Sequence, residues 1–238
     1  MKINIMHLYP DLLNLYGDKG NVASLVKRLE WRGIESEVKE YTIEEKLDFS
    51  EVDIIVLGGG SDNESIQVAK TLQDYKIQLK EYADNGGVIL AMCSGFQMLG
   101  SYFMVGDEKV QGLGVLDIYS EFDSNRILGD VVIQPEFSKL PIVGFENHGG
   151  RTHIGSYSPL GRVIRGTGNK EHDLVEGVIY KNTVGTYIHG PLLPKNPQLT
   201  DFLLNGAVKN KDENFELSML DDSDEIDAIS VIVDRYNN

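Results

Sequence analysis

Cysteine is almost absent. Cys93 is the only one in 238 residues, which excludes an internal disulfide framework and the small stapled scaffolds that depend on one. Long apolar runs are missing too. No stretch approaches the roughly 18 residues of a membrane span, and the N-terminus shows no signal-peptide pattern. The expectation is a cytoplasmic chain with no direct membrane insertion. Basic residues are scarce, 22 Lys and Arg against 37 Asp and Glu, for a formal net charge of −15. That balance argues against nucleic acid and against a grip on anionic lipid, because both need clustered cations. The five histidines lack zinc-type spacing, so no metal site is expected. No Gly-Lys-Ser/Thr phosphate loop is present, so no nucleotide is expected on this chain. Repeats and linker-like segments are also missing. The chain therefore reads as one domain over 1–238, with a catalytic core over about 1–205 and an acidic helix over about 222–236. The Asp221-Asp222-Ser223-Asp224-Glu225 run reads as a solvated start of that helix.

A 41% hydrophobic content supports a sizeable core, and its pattern is strand–helix alternation. Lys2 to Leu8 reads as a first strand. Val22, Leu25, Val26 and Leu29 form one helix face, Ile34 to Val38 a second strand and Val52 to Leu57 a buried third. Val68 to Ala83 reads as one long helix, closed by Asn85-Gly86-Gly87, and Val88 to Met92 as a buried parallel strand. Such alternation predicts a parallel sheet covered on both faces, with its site at the carboxyl ends of the strands. After residue 105 the stretches Gly112–Leu116, Ile127–Ile133, Ile142–Phe145, Gly161–Ile164 and Val175–Tyr180 predict a second, antiparallel or mixed sheet. Val184 to Ile188 is a further strand that delivers His189, and a helix follows through Leu199 to Leu204.

The strand over 88–92 runs into Cys93-Ser94-Gly95-Phe96-Gln97, so Cys93 falls where a strand ends and a helix begins. That junction is the position of a nucleophile elbow, and a helix N-terminus favours a thiolate there. The plain alternative for a lone cysteine is a small buried hydrophobe. The third strand ends at Gly58-Gly59-Gly60, where backbone N–H groups can converge on an anion. Beside such a cysteine, Gly59 reads as one oxyanion donor and the N–H of Ser94 as the other.

The pattern C-x-G-x-Q, entered from an apolar strand, resembles the nucleophile motif of the class I, triad-type glutamine amidotransferases. That resemblance implies a flavodoxin-like three-layer α/β fold, mostly parallel with a β-rich C-terminal half. It implies hydrolysis of L-glutamine through a cysteine thioester, with a histidine as base. His189, ending a strand before Gly190-Pro191, matches the catalytic histidine, and His148 is its rival. Arg126 matches the family's glutamine-binding arginine in a loop before a strand, while Gln97 and Gly60 match positions that hold substrate. Many members carry an acid two residues after the histidine. Pro191 stands there instead, as in the cobyric acid synthase-like branch. The third member is Asp18, Glu146, a partner's carboxylate or nothing.

Four further stretches, Leu15–Asn21, Gly58–Asp62, Gly144–Thr152 and Tyr187–Pro197, are similar to those of stand-alone glutaminase subunits in that branch. Those subunits form a heterodimer with a Mur-ligase-like synthetase that amidates D-glutamate in the lipid II stem peptide. The resemblance thus implies no cofactor on this chain, with ATP and magnesium on the partner, and a substrate that brings the complex to the inner membrane face. Service to another synthetase, such as a cobyrinate-amidating one, a different cysteine hydrolase with a strand–helix elbow, and a non-catalytic binding subunit are the alternatives.

Overall fold

The computed structural model describes residues 1–235. In its first half β1 (Lys2–Leu8), α1 (Lys19–Glu30), β2 (Glu35–Tyr41) and β3 (Ile54–Leu57) follow one another. The helix α2 (Asp62–Leu72) opens on a reciprocal capping box, Ser61 accepting from the Glu64 N–H and Glu64 from the Ser61 N–H. The single long helix expected over 68–83 is two helices. A 3-10 turn at Gln73–Tyr75 separates α2 from α3 (Lys76–Asp84), and the Gln73 amide leaves the helix to bond the Gln111 and Gly112 carbonyls. Then come β4 (Val88–Met92) and the one-turn helix α4 (Ser94–Met98).

The second half holds β5 (Tyr102–Val105), β6 (Glu108–Gln111), β7 (Tyr119–Gln134), β8 (Ile142–His153) and β9 (Gly161–Arg165). It continues through β10 (Val175–Glu176), β11 (Val178–Tyr180), β12 (Thr183–Thr186) and β13 (Ile188–His189), and closes with α5 (Pro197–Lys211) and α6 (Ser223–Asp234). The strand expected at 112–116 is not formed. Its backbone N–H groups, at Leu113, Gly114 and Leu116, bond the carbonyls of Met98, Gly100 and Leu99, and so cap the end of α4 instead. The single stretch expected at 175–180 divides at Gly177, whose φ of 66° suits glycine.

One sheet runs β11-β12-β4-β3-β1-β2, parallel except at the β11–β12 edge. Alternation along its strands builds two cores. Ile3, Ile5, Val56 and Leu90 meet α1 and α5, whereas Met6, Leu8, Ile55 and Ile89 meet α2 and α3. Each fully buried side chain of this kind contributes about 1.5–3 kcal/mol. The expected three-layer α/β fold is therefore present. The other sheet is mixed: β7 pairs β8 and β9 antiparallel and β5 parallel, while β8 also pairs β13. The chain passes from the first sheet to the second at Tyr187, between β12 and β13.

The acidic helix begins with Asp224 and Glu225 in its first turn, and its expected last residue, 236, lies outside the described residues. It lays Ile229, Ile232 and Val233 on Val132 and Val143. Arg28 ties it to the body, bonding Asp201 through Nε at 2.7 Å and Asp222 through Nη1 at 2.6 Å.

Candidate active site

The strand–helix elbow at Cys93 is made by backbone geometry. Cys93 ends β4 with φ 53° and ψ −115°, a conformation that costs energy in any residue with a side chain, and its N–H bonds the Thr186 carbonyl at 2.9 Å. Gly95 is required there, because a Cβ would stand 2.5 Å from the Leu57 carbonyl oxygen and 2.7 Å from that of Gly58. Gly59 packs so closely on Cys93 that a Cβ would lie 2.8 Å from the cysteine's own. The residue is half-buried. Burial pushes the thiol up to about 12, against a smaller opposite pull from the Ser94 N–H and a further push from Asp18. That push opposes the thiolate expected at a helix N-terminus.

His189 arrives by a different route. After Thr186 the chain crosses to β8, where His189 pairs Phe145. The crossing is fixed by Glu176, a fully buried carboxylate that accepts from Thr186 Oγ1 at 2.9 Å and from the Tyr187 N–H at 2.6 Å. Beyond the histidine, Pro191 packs on Gly20, and Asn21 accepts from the Leu193 N–H at 2.8 Å. The imidazole is 3% exposed, and neither of its nitrogens has a hydrogen-bond partner among the described residues. Its face rests on Tyr16, ring centroids 3.9 Å apart. Burial, then the Arg126 guanidinium, lowers it to about 4, so it stands neutral at physiological pH.

The two acids of this chain weighed as its orienting partner are engaged elsewhere. Asp18 accepts from the Gly59 N–H at 3.1 Å, and burial pushes it up to about 6. Glu146 spends its two oxygens on the N–H groups of Thr167 and Gly168. The same bond from Asp18 occupies the Gly59 N–H expected to serve as an oxyanion donor, and the Gly60 N–H bonds Ser94 Oγ at 3.2 Å. Of the expected donors, only the Ser94 N–H faces the sulfur.

Cys93, Ser94, Gln97, Gly60, Arg126, Tyr16 and His148 line one cleft. Arg126 sits not in a loop before a strand but inside β7, at the bulge between Phe122 and Ile127. Asn147 grips it, Oδ1 accepting from Nε at 3.0 Å and from Nη2 at 2.9 Å. Gln97 donates to the Tyr187 hydroxyl at 3.1 Å and does not cap its helix. His148, the rival of His189, lies inside β8. Its Nδ1 bonds the Gly150 carbonyl at 2.8 Å, and its ring stacks on Tyr187 at 3.7 Å. Burial is the main cause that lowers it to about 3.

Several residues here escaped the reading of the sequence. Arg151, forked on Glu171 at 2.6 Å, also donates to the Asn125 carbonyl beside the bulge. Tyr16 and Asn21 stood in a noted motif without a role, whereas Glu176 carried no local signal. Among the described residues no group of three or more His, Cys, Asp or Glu is placed to hold a metal ion, and no helix is long and apolar enough to cross a membrane.

A cysteine elbow after β4, and a histidine that the chain reaches through the adjacent parallel strand β12 before crossing to β13, define an amidotransferase architecture. The CobB/CobQ-like glutamine amidotransferase domain matches residues 4–197, and the chain belongs to that family. It is 44% identical over 237 residues to the GatD subunit of lipid II isoglutaminyl synthase (glutamine-hydrolyzing) of Staphylococcus aureus strain N315, covering 99% of this chain and 97% of that protein. To the GatD subunit of Streptococcus pneumoniae R6 it is 40% identical, covering 88% and 82%. A solved glutamine amidotransferase shares the fold, with TM-score 0.54 and 17% identity over 85% of this chain and 98% of that one.

Proposed function

We propose that this chain is the glutamine-hydrolysing subunit of a lipid II isoglutaminyl synthase. The observation that carries the reading is the strained Cys93 elbow lying beside the strand that delivers His189, on a chain alike to the GatD subunits along nearly its whole length. In this reading Arg126 takes the α-carboxylate of glutamine, a match of a guanidinium to a free amino acid. His189 removes the thiol proton as Cys93 attacks the side-chain amide carbon, and the Ser94 N–H meets the developing oxyanion. Collapse breaks the C–N bond, the imidazolium returns its proton to the departing ammonia, and a thioester remains. Water, deprotonated by the same imidazole, opens the thioester to glutamate and restores the thiol.

Ammonia set free in water is protonated and lost to synthesis, so the chain passes it to a docked synthetase of Mur-ligase type, which holds ATP and magnesium and amidates the α-carboxylate of D-glutamate. The lipid II substrate places that complex at the inner membrane face. With Asp18 and Glu146 engaged elsewhere, the pair works as a dyad or takes its acid from the partner. The test is glutamate release from L-glutamine by the chain, alone and with the synthetase, in wild type, Cys93→Ala and His189→Ala. Release that both substitutions abolish, and that rises with the partner, is expected. Release that survives Cys93→Ala removes the nucleophile and the reading with it.

A further inference from the structure

The catalytic imidazole poses a physical problem. A base must be aimed to within a small angle, and a histidine is ordinarily aimed by a hydrogen bond to its second nitrogen. Here both nitrogens of His189 lack a partner among the described residues. What touches the ring is another ring. Tyr16 lies on it at 3.9 Å with the planes tilted by 34°, a packed contact that fixes the imidazole plane without taking a nitrogen.

The other end of Tyr16 meets the substrate side of the cleft. Its hydroxyl lies beside the Arg126 guanidinium and the carboxamide of Asn147, the residue that grips Arg126. Tyr16 also lines the cleft beside Cys93. Its backbone is held to the elbow: the Leu15 N–H bonds the Gly59 carbonyl at 3.0 Å, and Asp18 returns a bond to the Gly59 N–H at 3.1 Å. The loop is therefore tied to the wall of the nucleophile, and its one aromatic side chain reaches both the base and the carboxylate-binding arginine.

We propose that Tyr16 is a positioning residue with two separable parts: its ring aims His189, and its hydroxyl, with Asn147, sets the Arg126 guanidinium that receives glutamine's α-carboxylate. The assignment rests on the glutaminase reading above. It explains how a histidine followed by Pro191 keeps its orientation within this chain, and why the tyrosine stands in a loop bonded to Gly59 on both sides.

The test is steady-state glutamate release by the complex with its synthetase subunit, for wild type, Tyr16→Phe and Tyr16→Leu, each checked by thermal unfolding. Tyr16→Phe keeps the ring and removes the hydroxyl. It is expected to raise KM about tenfold, the effect of one lost hydrogen bond to a charged group, with kcat within about threefold. Tyr16→Leu removes the ring and is expected to lower kcat about 100-fold, the loss that follows a misplaced base. A Tyr16→Leu enzyme with kcat within about threefold of wild type overturns the aiming role, and so does a pair of variants that lose kcat and KM in the same proportion. If Tyr16→Leu does not fold, Tyr16→Phe decides alone: a KM rise at held kcat supports the proposal, and an unchanged KM ends it. A wild-type complex that releases no glutamate instead fails the functional reading, which separates the two failures.

Discussion

Cys93 follows β4, and the chain reaches His189 through β12, the parallel neighbour of β4, before crossing to β13, yet the two are placed by different means. Cys93 is held by its own stretch of chain: a buried five-residue strand, a residue forced to φ 53°, and Gly95 two places on, with carbonyl oxygens where a Cβ would be. His189 is held by residues far away in sequence. Glu176 fixes the crossing before it, Asn21 the turn after it and Tyr16 its face, while its own nitrogens bond nothing among the described residues. In the proposed chemistry, a nucleophile fixed locally and a base fixed from a distance respond to different perturbations. The first fails when the backbone is altered at one point, and the second loosens by degrees.

Gly95→Ala is expected to have the largest effect on the nucleophile's side. The added Cβ meets backbone oxygens of Leu57 and Gly58, which have no side-chain freedom with which to move away. Overpacking of that kind costs about 1–3 kcal/mol of stability, and displacement of the sulfur costs about 100-fold or more in rate. Denaturant unfolding together with glutamate release checks both. Retained kcat would mean that the elbow is not rigid, and the contrast with His189 would vanish.

Glu176→Gln addresses the base's side. The side chain is fully buried with its oxygens on Thr186 and the Tyr187 N–H, and burial keeps it protonated at neutral pH, so the amide must place two hydrogens where the acid holds one. A loss of about tenfold in kcat with KM held is expected, because Arg126 is gripped by Asn147 and does not depend on it. Iodoacetamide labelling of Cys93 in the same variant separates the sides. Unchanged labelling supports independent construction, whereas a parallel fall joins the two.

That contrast also explains what was legible beforehand. The strand over 88–92, the elbow and Gly95 are written in consecutive residues, and the apolar periods of α1, α5 and the parallel strands are local as well. His189 was legible because a strand ends at it before Gly-Pro. The bonds that hold it were not: the one from the Leu193 N–H to Asn21 joins positions 172 residues apart. The Gly59 N–H shows the same limit. A glycine triplet after a strand promises free donors, but nothing nearby in the sequence says that Asp18 takes one of them. The cleft's Arg126 lies in a bulge, where two strands fall out of register, and neither strand reveals that alone.

Stability against pH gives a smaller effect with a defined sign. Burial lowers His7 and His189 to about 4 and His148 to about 3, from an ordinary value of 6.5. Between those values the unfolded chain binds more protons, so their contribution is present above pH 6.5 and is lost as pH falls toward 4. Glu176 runs the other way. Burial pushes it up to about 8 from 4.5, its bonds to Tyr187 and Thr186 opposing, so its contribution is present below pH 4.5 and is lost as pH rises through 8. The histidines act alike in both proteins, so urea unfolding at pH 6 and pH 8.5 is expected to show wild type losing more than about 1 kcal/mol relative to Glu176→Gln across that interval. An equal loss in both removes Glu176 as the source.

The smallest effect is expected at Asp222, and it sharpens the boundary of the base-bearing half. Arg28 is 4% exposed at its side chain and divides its guanidinium between Asp201 and Asp222, while Arg32 also reaches Asp201 at 2.6 Å. Removing Asp222 leaves the buried cation one carboxylate, so the charge is not stranded, and about 1–2 kcal/mol of stability is expected to go. The helix α6 that follows Asp222 rests on Val143 of β8, the strand that carries Asn147 and His148. If the base's side is one cooperative unit, loosening α6 travels along β8 and lowers kcat in Asp222→Ala. If positioning is confined to Glu176, Asn21 and Tyr16, kcat is unchanged while the unfolding midpoint drops. The second outcome is expected, because β13 pairs β8 only at Phe145 and Glu146, and the contacts that reach the imidazole come from the other side, from the loop tied to Gly59.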